Sequence, residues 1–164
     1  MKITVLNTGG TFNKRYNPIK GLLEVPTDNI ALDKIVKSCF NVDFEIKNIV
    51  SKDSLDFRQE DRETILKEIQ NSTGDKIIII HGTDTVDLTS KFIEDKIEGK
   101  KIVFTGAMVP MSIDEVEATM NFSQAIGFLN APIENGIYLS MHGSVIEHSK
   151  LVKDRSVGQF LVKN

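Results

Sequence analysis

The sequence predicts an α/β fold in which helices cover both faces of a parallel sheet, a three-layer arrangement of the flavodoxin or Rossmann type. Two observations lead to this class. Segments of strand character alternate about five times with segments whose apolar residues recur at helical spacing. In addition, Ile77–Ile80 is a continuous run of isoleucines, which is typical of a central parallel strand buried on both faces. Ligands of such sheets bind beyond the carboxyl ends of the strands.

The chain opens with a strand and a tight turn. Ile3–Leu6 is rich in β-branched residues, and Thr8–Gly10 supplies the turn that follows. Residues 12–27 are polar and contain two prolines and a glycine, so we expect a long loop there. Loops of that length are uncommon inside compact domains and are often functional.

Later elements alternate between helix and strand. We expect helices over residues 59–71, 86–97 and 114–129. The last of these is the longest, and its inward residues should be Val116, Met120, Ile126 and Leu129. The remaining expected elements are a helix capped by Thr27 or Asp28 with Ile30, Ile35 and Val36 as its apolar positions, and strands at Val42–Ile46, Ile102–Phe104 and Gly136–Met141.

Composition limits the classes of function. A chain of 164 residues is the usual size of one domain, so we expect a single domain over residues 1–164. The net charge of −3 gives no electrostatic reason to expect a nucleic-acid partner. No apolar run approaches the roughly 20 residues of a membrane helix. With one cysteine, Cys39, no intrachain disulfide is possible, and no signal-peptide pattern opens the chain, so we expect a cytoplasmic protein. No cofactor and no metal are expected.

Two turns after predicted strands could carry chemistry. In Thr8–Thr11 two glycines allow a sharp turn and close approach to a ligand, although the pattern is neither a P-loop nor a dinucleotide-binding motif. His81–Thr85 follows the isoleucine strand and places a hydroxyl beside a carboxylate. Its simpler interpretation is a helix cap by Asp84 or Thr85. His81 could act as a general base, but at a strand end a hydrogen-bonded structural histidine is the commoner case.

Two further turns are less informative by themselves. Thr105–Pro110 contains small residues and no ionisable group, which indicates a role in shaping the backbone. Asp53 and Ser54 precede the helix at residue 59 and would alone be interpreted as a capping or loop pair.

Taken together, these turns resemble the L-asparaginase family of amidohydrolases. Thr-Gly-Gly-Thr at 8–11 and His-Gly-Thr-Asp-Thr at 81–85 are similar to the two signature sequences of that family, in the same order and about seventy residues apart. Gly106–Met108, Asn121 and residues 141–153 are similar to later segments of the family. The resemblance covers nearly the whole chain and implies the fold of the family's amino-terminal domain.

The resemblance implies acyl transfer at a threonine. Thr11 would attack a side-chain amide carbon, ammonia would leave, and water would release the acid. A tyrosine of the loop after the first turn would activate this hydroxyl, and Tyr16 is the candidate within residues 12–27. Thr83, Asp84 and Lys153 match a threonine–aspartate–lysine group that can hold a proton relay and lower the pKa of the hydroxyl.

The resemblance also implies how an amino-acid amide would be bound. Ser54 matches a serine that binds the substrate carboxylate, and Asp84 would hold the substrate ammonium group. Asp53 and the backbone at Gly10 and Gly82 would complete the site.

The chain departs from the family pattern in three ways. We expect the second, carboxy-terminal domain of the family to be absent, together with the acidic residue that it lends to a neighbouring protomer; loss of such a charged partner costs on the order of 2–5 kcal/mol. Leu55 stands where relatives have a polar side chain, and Val109 replaces an arginine. Faces left uncovered in a monomer predict a homo-oligomer, a dimer or tetramer.

Three functions are therefore considered. The first is an asparaginase-like amidohydrolase acting on a small amino-acid amide. The second is a non-catalytic module that keeps the pocket and binds an amino acid or amide. The third is a nucleotide or phosphate binder, against which the absence of a P-loop lysine counts.

Overall fold

Five parallel strands form the centre of the structure, a computed structural model that describes residues 1–163. Asn164, the last residue of the expected domain, lies outside the described residues. The strands are β1 (Lys2–Gly9), β2 (Arg15–Asn17), β3 (Leu22–Glu24), β4 (Asp43–Lys52), β5 (Lys76–Ile80), β6 (Lys101–Thr105), β7 (Gly136–Met141), β8 (Ser144–Glu147), β9 (Leu151–Asp154) and β10 (Gln159–Val162). The helices are α1 (Ile30–Val36), α2 (Gln59–Asn71), α3 (Val86–Glu94) and α4 (Glu115–Asn130), with single 3-10 turns at Thr11–Asn13, Ser54–Asp56 and His148–Lys150.

The main sheet has the order β4-β1-β5-β6-β7-β8. All its pairs are parallel except β7 with β8, an antiparallel edge that the sequence did not predict. The chain leaves β1 for the edge strand β4 and returns to β5 on the other side of β1. The strand order therefore reverses between β1 and β5, which is the point where ligands bind in open α/β sheets.

The isoleucine run of β5 divides the core into two layers. Ile77 and Ile79 pack with α2 and α3 on one face, whereas Ile78 and Ile80 pack with α1 and α4 on the other. All four side chains are fully buried. Because successive strand residues point to opposite faces, an unbroken apolar run is what a strand covered on both sides requires. The predicted three-layer fold class is confirmed.

The expectation of an irregular loop over residues 12–27 is wrong. A 3-10 turn follows β1, and β2 and β3 then pair as an antiparallel hairpin in the register Arg15 to Glu24. Ion pairs link this hairpin to neighbouring segments, including Arg15 Nη2 on β2 with Asp28 Oδ2 before α1 at 2.5 Å. The polar composition suggested a loop because such a short hairpin buries little apolar surface of its own.

The predicted inward face of α4 is wrong in its first half. Val116 is 70% exposed and Met120 is 39% exposed. The buried stripe consists of Ala118, Asn121, Phe122, Ala125 and Leu129. Two residues along a helix differ by about 200°, so Val116 and Ala118 lie on nearly opposite sides. Apolar residues occur on both sides of α4, so their spacing alone did not identify the buried side.

Several boundaries also shift. Asn29 occupies the N-cap position of α1 but its side chain makes no capping hydrogen bond, whereas the side chain of Asp28 accepts the Ile30 N–H. Ile30 is exposed rather than inward. Helix α3 ends at Glu94 instead of residue 97, and β4 continues to Lys52. Within the described residues, no helix combines the length and apolarity needed to cross a membrane.

Candidate functional site

Three turns meet at the carboxyl edge of β1, β4 and β5. Gly10 has a φ of 74°, and a Cβ there would lie 2.6 Å from the N and Cα atoms of Gly82. A Cβ on Gly82 would in turn overlap the Ser54 side chain. The backbones of the first two turns therefore touch each other at Gly10 and Gly82, and Gly82 also packs against Ser54 of the third turn. The residues that follow, Thr11 and Thr83, are thereby brought to the same edge of the sheet.

Lys153 joins the second turn from a distant part of the chain. Its Nζ donates to Thr83 Oγ1 at 2.9 Å and to Asp84 Oδ1 at 2.8 Å. The side chain of Lys153 is only 11% exposed, so the ammonium group is largely withdrawn from water. A charge held beside a hydroxyl in this way favours loss of the hydroxyl proton. The structure therefore brings the predicted threonine, aspartate and lysine together.

Thr11 begins the 3-10 turn after β1 and is partly exposed. Its hydroxyl makes no hydrogen bond to any residue from 1 to 163. Tyr16 lies on β2 opposite Leu23 and is 63% exposed. No hydrogen bond joins the Tyr16 hydroxyl to Thr11 in the described chain. The structure thus presents Thr11 at the site but does not bring Tyr16 into contact with it.

Asp53 and Ser54 form the third of these turns, directly after β4. Ser54 is 1% exposed, and its Oγ lacks a hydrogen-bond partner among the residues that the structure covers. Asp53 accepts the Leu55 N–H at 3.1 Å and pairs with Lys14 Nζ at 2.5 Å. Burial opposes the charge of this carboxylate, but the hydrogen bonds from Lys14 and Leu55 outweigh that effect and lower the pKa of Asp53. Asp53 thereby ties the Thr11 segment to the Ser54 turn.

Two basic side chains that contact site residues were not predicted from the sequence. Lys14 pairs with Asp53, and Arg155 Nη2 donates to the Asp84 carbonyl at 2.8 Å. Each is one of 20 basic residues, and no local pattern distinguishes it. In the range 1–163, no three His, Cys, Asp or Glu side chains are grouped so that they could hold a metal ion.

A cleft of about 550 Å³ adjoins this group. Its lining includes Thr83, Asp84 and Lys153, residues of α3, and residues of the segments around β7, β9 and β10 such as Leu139 and Phe160. The charged group therefore has open space beside it, and its turn touches the Thr11 turn through the backbones of Gly82 and Gly10.

His81 is a structural residue. It is 1% exposed, its Nδ1–H donates to the Gly82 carbonyl at 2.8 Å, and its Nε2 lies 2.8 Å from Thr89 Oγ1. The rings of Phe57 and Phe104 pack against it edge-on. Burial lowers the pKa of His81 to about 4, against a smaller opposite effect of the Gly82 hydrogen bond. The imidazole is therefore neutral and has no nitrogen left for substrate.

This burial predicts a pH dependence of stability. The pKa of His81 is about 4 in the folded chain and 6.5 when unfolded, so between these values the unfolded chain binds the extra proton. Stability is then lost as the pH falls through this window. From pH 7 to pH 5 the loss attributable to His81 should be about 2 kcal/mol. Urea denaturation at both pH values measures it.

The matched variant is His81→Gln, which cannot titrate. Its free energy of unfolding should fall by about 2 kcal/mol less than that of the wild type over the same interval. Equal losses in both proteins would show that His81 is protonated in the folded state as well.

The sequence is similar to proteins of known family. The family model described as "Asparaginase, N-terminal" matches residues 2–159. The L-asparaginase of Thermococcus kodakarensis is 28% identical over 162 residues, which are 96% of this chain and 49% of that protein. One component of the glutamyl-tRNA(Gln) amidotransferase of Methanococcus vannielii is 28% identical over 149 residues, covering 87% of this chain and 34% of that component.

Solved structures agree with this. The thermostable L-asparaginase from T. kodakarensis superimposes with a TM-score of 0.86 at 27% identity, over 99% of this chain and 51% of that one. A probable cytoplasmic L-asparaginase from Campylobacter jejuni shares the fold, with a TM-score of 0.82 at 22% identity over 98% and 53% of the two chains. The chain thus spans about half the length of these asparaginases.

Proposed function

Because this chain belongs to the asparaginase family, we propose that it is an amidohydrolase that releases ammonia from the side-chain amide of L-asparagine or a related small amide. Thr11 is the proposed nucleophile. The observation that carries this proposal is the placement of the Lys153 ammonium, which bonds both the Thr83 hydroxyl and the Asp84 carboxylate beside the Thr11 turn.

The proposed reaction has two steps. Thr11 Oγ bonds to the amide carbon, the carbon–nitrogen bond breaks, and the hydroxyl proton passes to the departing nitrogen, which leaves as ammonia. Water then attacks the resulting ester, which restores the Thr11 hydroxyl and releases the acid. In the second step Thr83 accepts a proton from the attacking water while it passes its own proton to the Thr11 oxygen, and the Lys153 ammonium, which donates to Thr83 Oγ1, stabilises the Thr83 oxygen during this relay. Tyr16, on the β2–β3 hairpin, is the proposed base, which requires that hairpin to move toward Thr11.

Substrate recognition is assigned to the polar groups around Thr11. The buried Ser54 hydroxyl has no protein partner within residues 1–163 and can donate to a substrate carboxylate. Asp84 can pair with an ammonium group, and the backbone at Gly10 and Gly82 can approach the ligand closely. The exposed Leu55 side chain, next to Ser54, favours an amide less polar than free asparagine.

Substitution of Ser54 by alanine should raise KM by about 10- to 150-fold while changing kcat less, because one hydrogen bond to a charged group is worth about 1.5–3 kcal/mol. Steady-state ammonia assays measure both constants. Ser123→Ala, an exposed position on α4, serves as the control. An unchanged KM in the Ser54 variant would remove Ser54 from the binding site.

A non-catalytic binding module is the second candidate, and one observation favours it. The Thr11 hydroxyl has no base in contact among the described residues, and the proposed base, Tyr16, is 63% exposed. A pocket with the same polar groups could bind an amino acid or amide without turning it over.

Ammonia release separates the two functions. The purified protein is incubated with asparagine, glutamine and a panel of other small amides, and ammonia is measured by a coupled assay. Release from at least one amide is expected. Calorimetric binding of an amide that yields no ammonia, with no release from any other compound, would instead establish the binding module.

We propose that the protein works as a homo-oligomer. The cytoplasmic location of the protein stays a prediction. Ile113, Val116 and Met120 form an exposed apolar stripe at the start of α4, with exposures of 66%, 70% and 39%. This stripe supports association with a second copy, since contiguous apolar patches mark interaction surfaces.

We expect the wild type to sediment as a dimer or tetramer and Val116→Lys to shift it toward monomer by at least tenfold in dissociation constant. Leu22→Lys, at an exposed apolar position of the β2–β3 hairpin, is the matched control. A wild type that remains monomeric at tens of micromolar in sedimentation velocity would contradict this assembly.

A further inference from the structure

An unusual turn joins β7 to the antiparallel edge strand β8. Its two residues, His142 and Gly143, both have positive φ, 50° and 88°. Such two-residue turns suit Asn-Gly, and a histidine in this conformation is uncommon. No other non-glycine residue between 1 and 163 has a positive φ. The turn directs the imidazole between α4 and β10.

Both imidazole nitrogens are committed to defined partners. The Phe160 N–H donates to His142 Nδ1 at 3.1 Å, so Nδ1 must carry a lone pair. The proton therefore sits on Nε2, which donates to Glu117 Oε1 at 3.0 Å. The His142 N–H is also used, donating to Asn121 Oδ1 at 3.0 Å. Glu117 and His142 are mostly buried, with side chains 17% and 23% exposed.

Glu117 extends this contact to the turn after β6. Its two carboxylate oxygens accept the N–H groups of Met108 and Val109 at 2.8 and 2.9 Å. One helical carboxylate thus ties that turn to His142. Charged acceptors of this kind form the stronger class of hydrogen bond.

The other end of the network reaches the lysine of the proposed site. Phe160 lies opposite Lys153 in the β9–β10 pair, and this pair is separate from the main sheet. The Phe160 ring also packs edge-on against the His142 imidazole, with ring centres 5.9 Å apart. The strand that carries Lys153 is therefore anchored to α4 through Phe160, His142 and Glu117.

We propose that Glu117 and His142 are positioning residues that fix the β9–β10 hairpin where Lys153 reaches Thr83 and Asp84. The expected effect of this role on the reaction rate rests on the proposed amide hydrolysis. The anchoring of the hairpin does not, since it is a property of the folded chain. The remaining hydrogen bond from this hairpin to the second turn comes from Arg155, whose side chain is 65% exposed. That bond is too accessible to water to replace the buried anchor.

The test uses substitutions that keep the turn. His142→Gly retains the positive φ and removes the imidazole, whereas His142→Asn retains the turn and places an amide oxygen near the position of Nδ1. Glu117→Gln keeps the size and removes the charge. Glu115→Gln on the same helix is the control, because Glu115 is exposed and pairs with Lys34. Circular dichroism and thermal unfolding establish that each variant is folded.

Two readouts separate positioning from a general structural role. Amide hydrogen exchange at Phe160 should quicken at least tenfold in His142→Gly and in Glu117→Gln, beyond any change at the amides of β5. The kcat for ammonia release should fall at least tenfold with a smaller change in KM. His142→Asn should recover part of both, and Glu115→Gln should change neither.

Unchanged exchange at Phe160 in folded His142→Gly and Glu117→Gln would overturn the anchoring role. Faster exchange with an unchanged kcat would overturn the effect on Lys153. If His142→Gly does not fold, Glu117→Gln and His142→Asn decide the result by the same criteria. A wild type without ammonia release defeats the proposed function instead, and the anchor is then judged by Phe160 exchange and by the Lys153–Thr83 distance in a structure of Glu117→Gln.

Discussion

Replacement of Lys153 by methionine should lower kcat for ammonia release by about 10³-fold or more, since removal of a proton-relay group costs up to about 10⁴. The Nζ atom is the group of this side chain that reaches Thr83 and Asp84, and methionine keeps the length but offers no donor. KM should change less than kcat, because the proposed role of Lys153 is in proton transfer. Stopped or continuous ammonia assays at saturating amide measure the effect.

Lys150→Met is the matched control for this change. Lys150 lies three residues earlier, is 62% exposed and pairs with Glu147 rather than with the site. Its variant should keep wild-type kcat. More than a tenth of the wild-type rate in a folded Lys153→Met protein would exclude Lys153 from the reaction.

Substitution of Thr11 by alanine should have the largest effect, a loss of at least about 10⁴ in kcat, because no covalent ester can form without the hydroxyl. Thr11→Ser should retain measurable turnover, since a primary hydroxyl occupies the same place. Binding of the amide, measured by calorimetry, should survive in Thr11→Ala. Loss of turnover with binding retained is expected only if Thr11 reacts with the amide and does not serve mainly to bind it.

Thr27→Ala, at an exposed threonine of the segment between β3 and α1, controls for general effects of the substitution. Full activity in Thr11→Ala would remove Thr11 from the nucleophile role. Comparable losses in Thr11→Ser and Thr11→Ala would also contradict it.

Sequence patterns predicted the framework of the fold because they reflect local physics. The isoleucines of β5 are apolar at consecutive positions, which a strand covered on both faces requires. The glycines at 10 and 82 indicated tight turns, and the structure shows that a side chain at Gly10 would collide with Gly82 and one at Gly82 with Ser54. The isoleucine run and the glycine turns are patterns of neighbouring residues, so they could be recognised without coordinates.

Other features depend on contacts between remote segments. Lys153 lies 70 residues from Thr83, and only the resemblance to a family distinguished it from other lysines. Helix α4 has apolar residues on both sides, so periodicity alone could not choose the face with Ala118 over the face with Val116. The His142 anchor requires a positive φ and a partner on β10, neither of which a sequence pattern displays.

A structure of the Lys153→Met protein with a bound amide is the most direct test that the Thr11 and Thr83–Asp84 turns form one hydrolytic site. Crystals are soaked with L-asparagine, or with the amide from which the wild type releases most ammonia. We expect the amide carbon within about 3–3.5 Å of Thr11 Oγ, with Ser54 and Asp84 in contact with the rest of the ligand. An amide bound in the cleft against α3, with its carbon out of reach of Thr11, would contradict the proposed site.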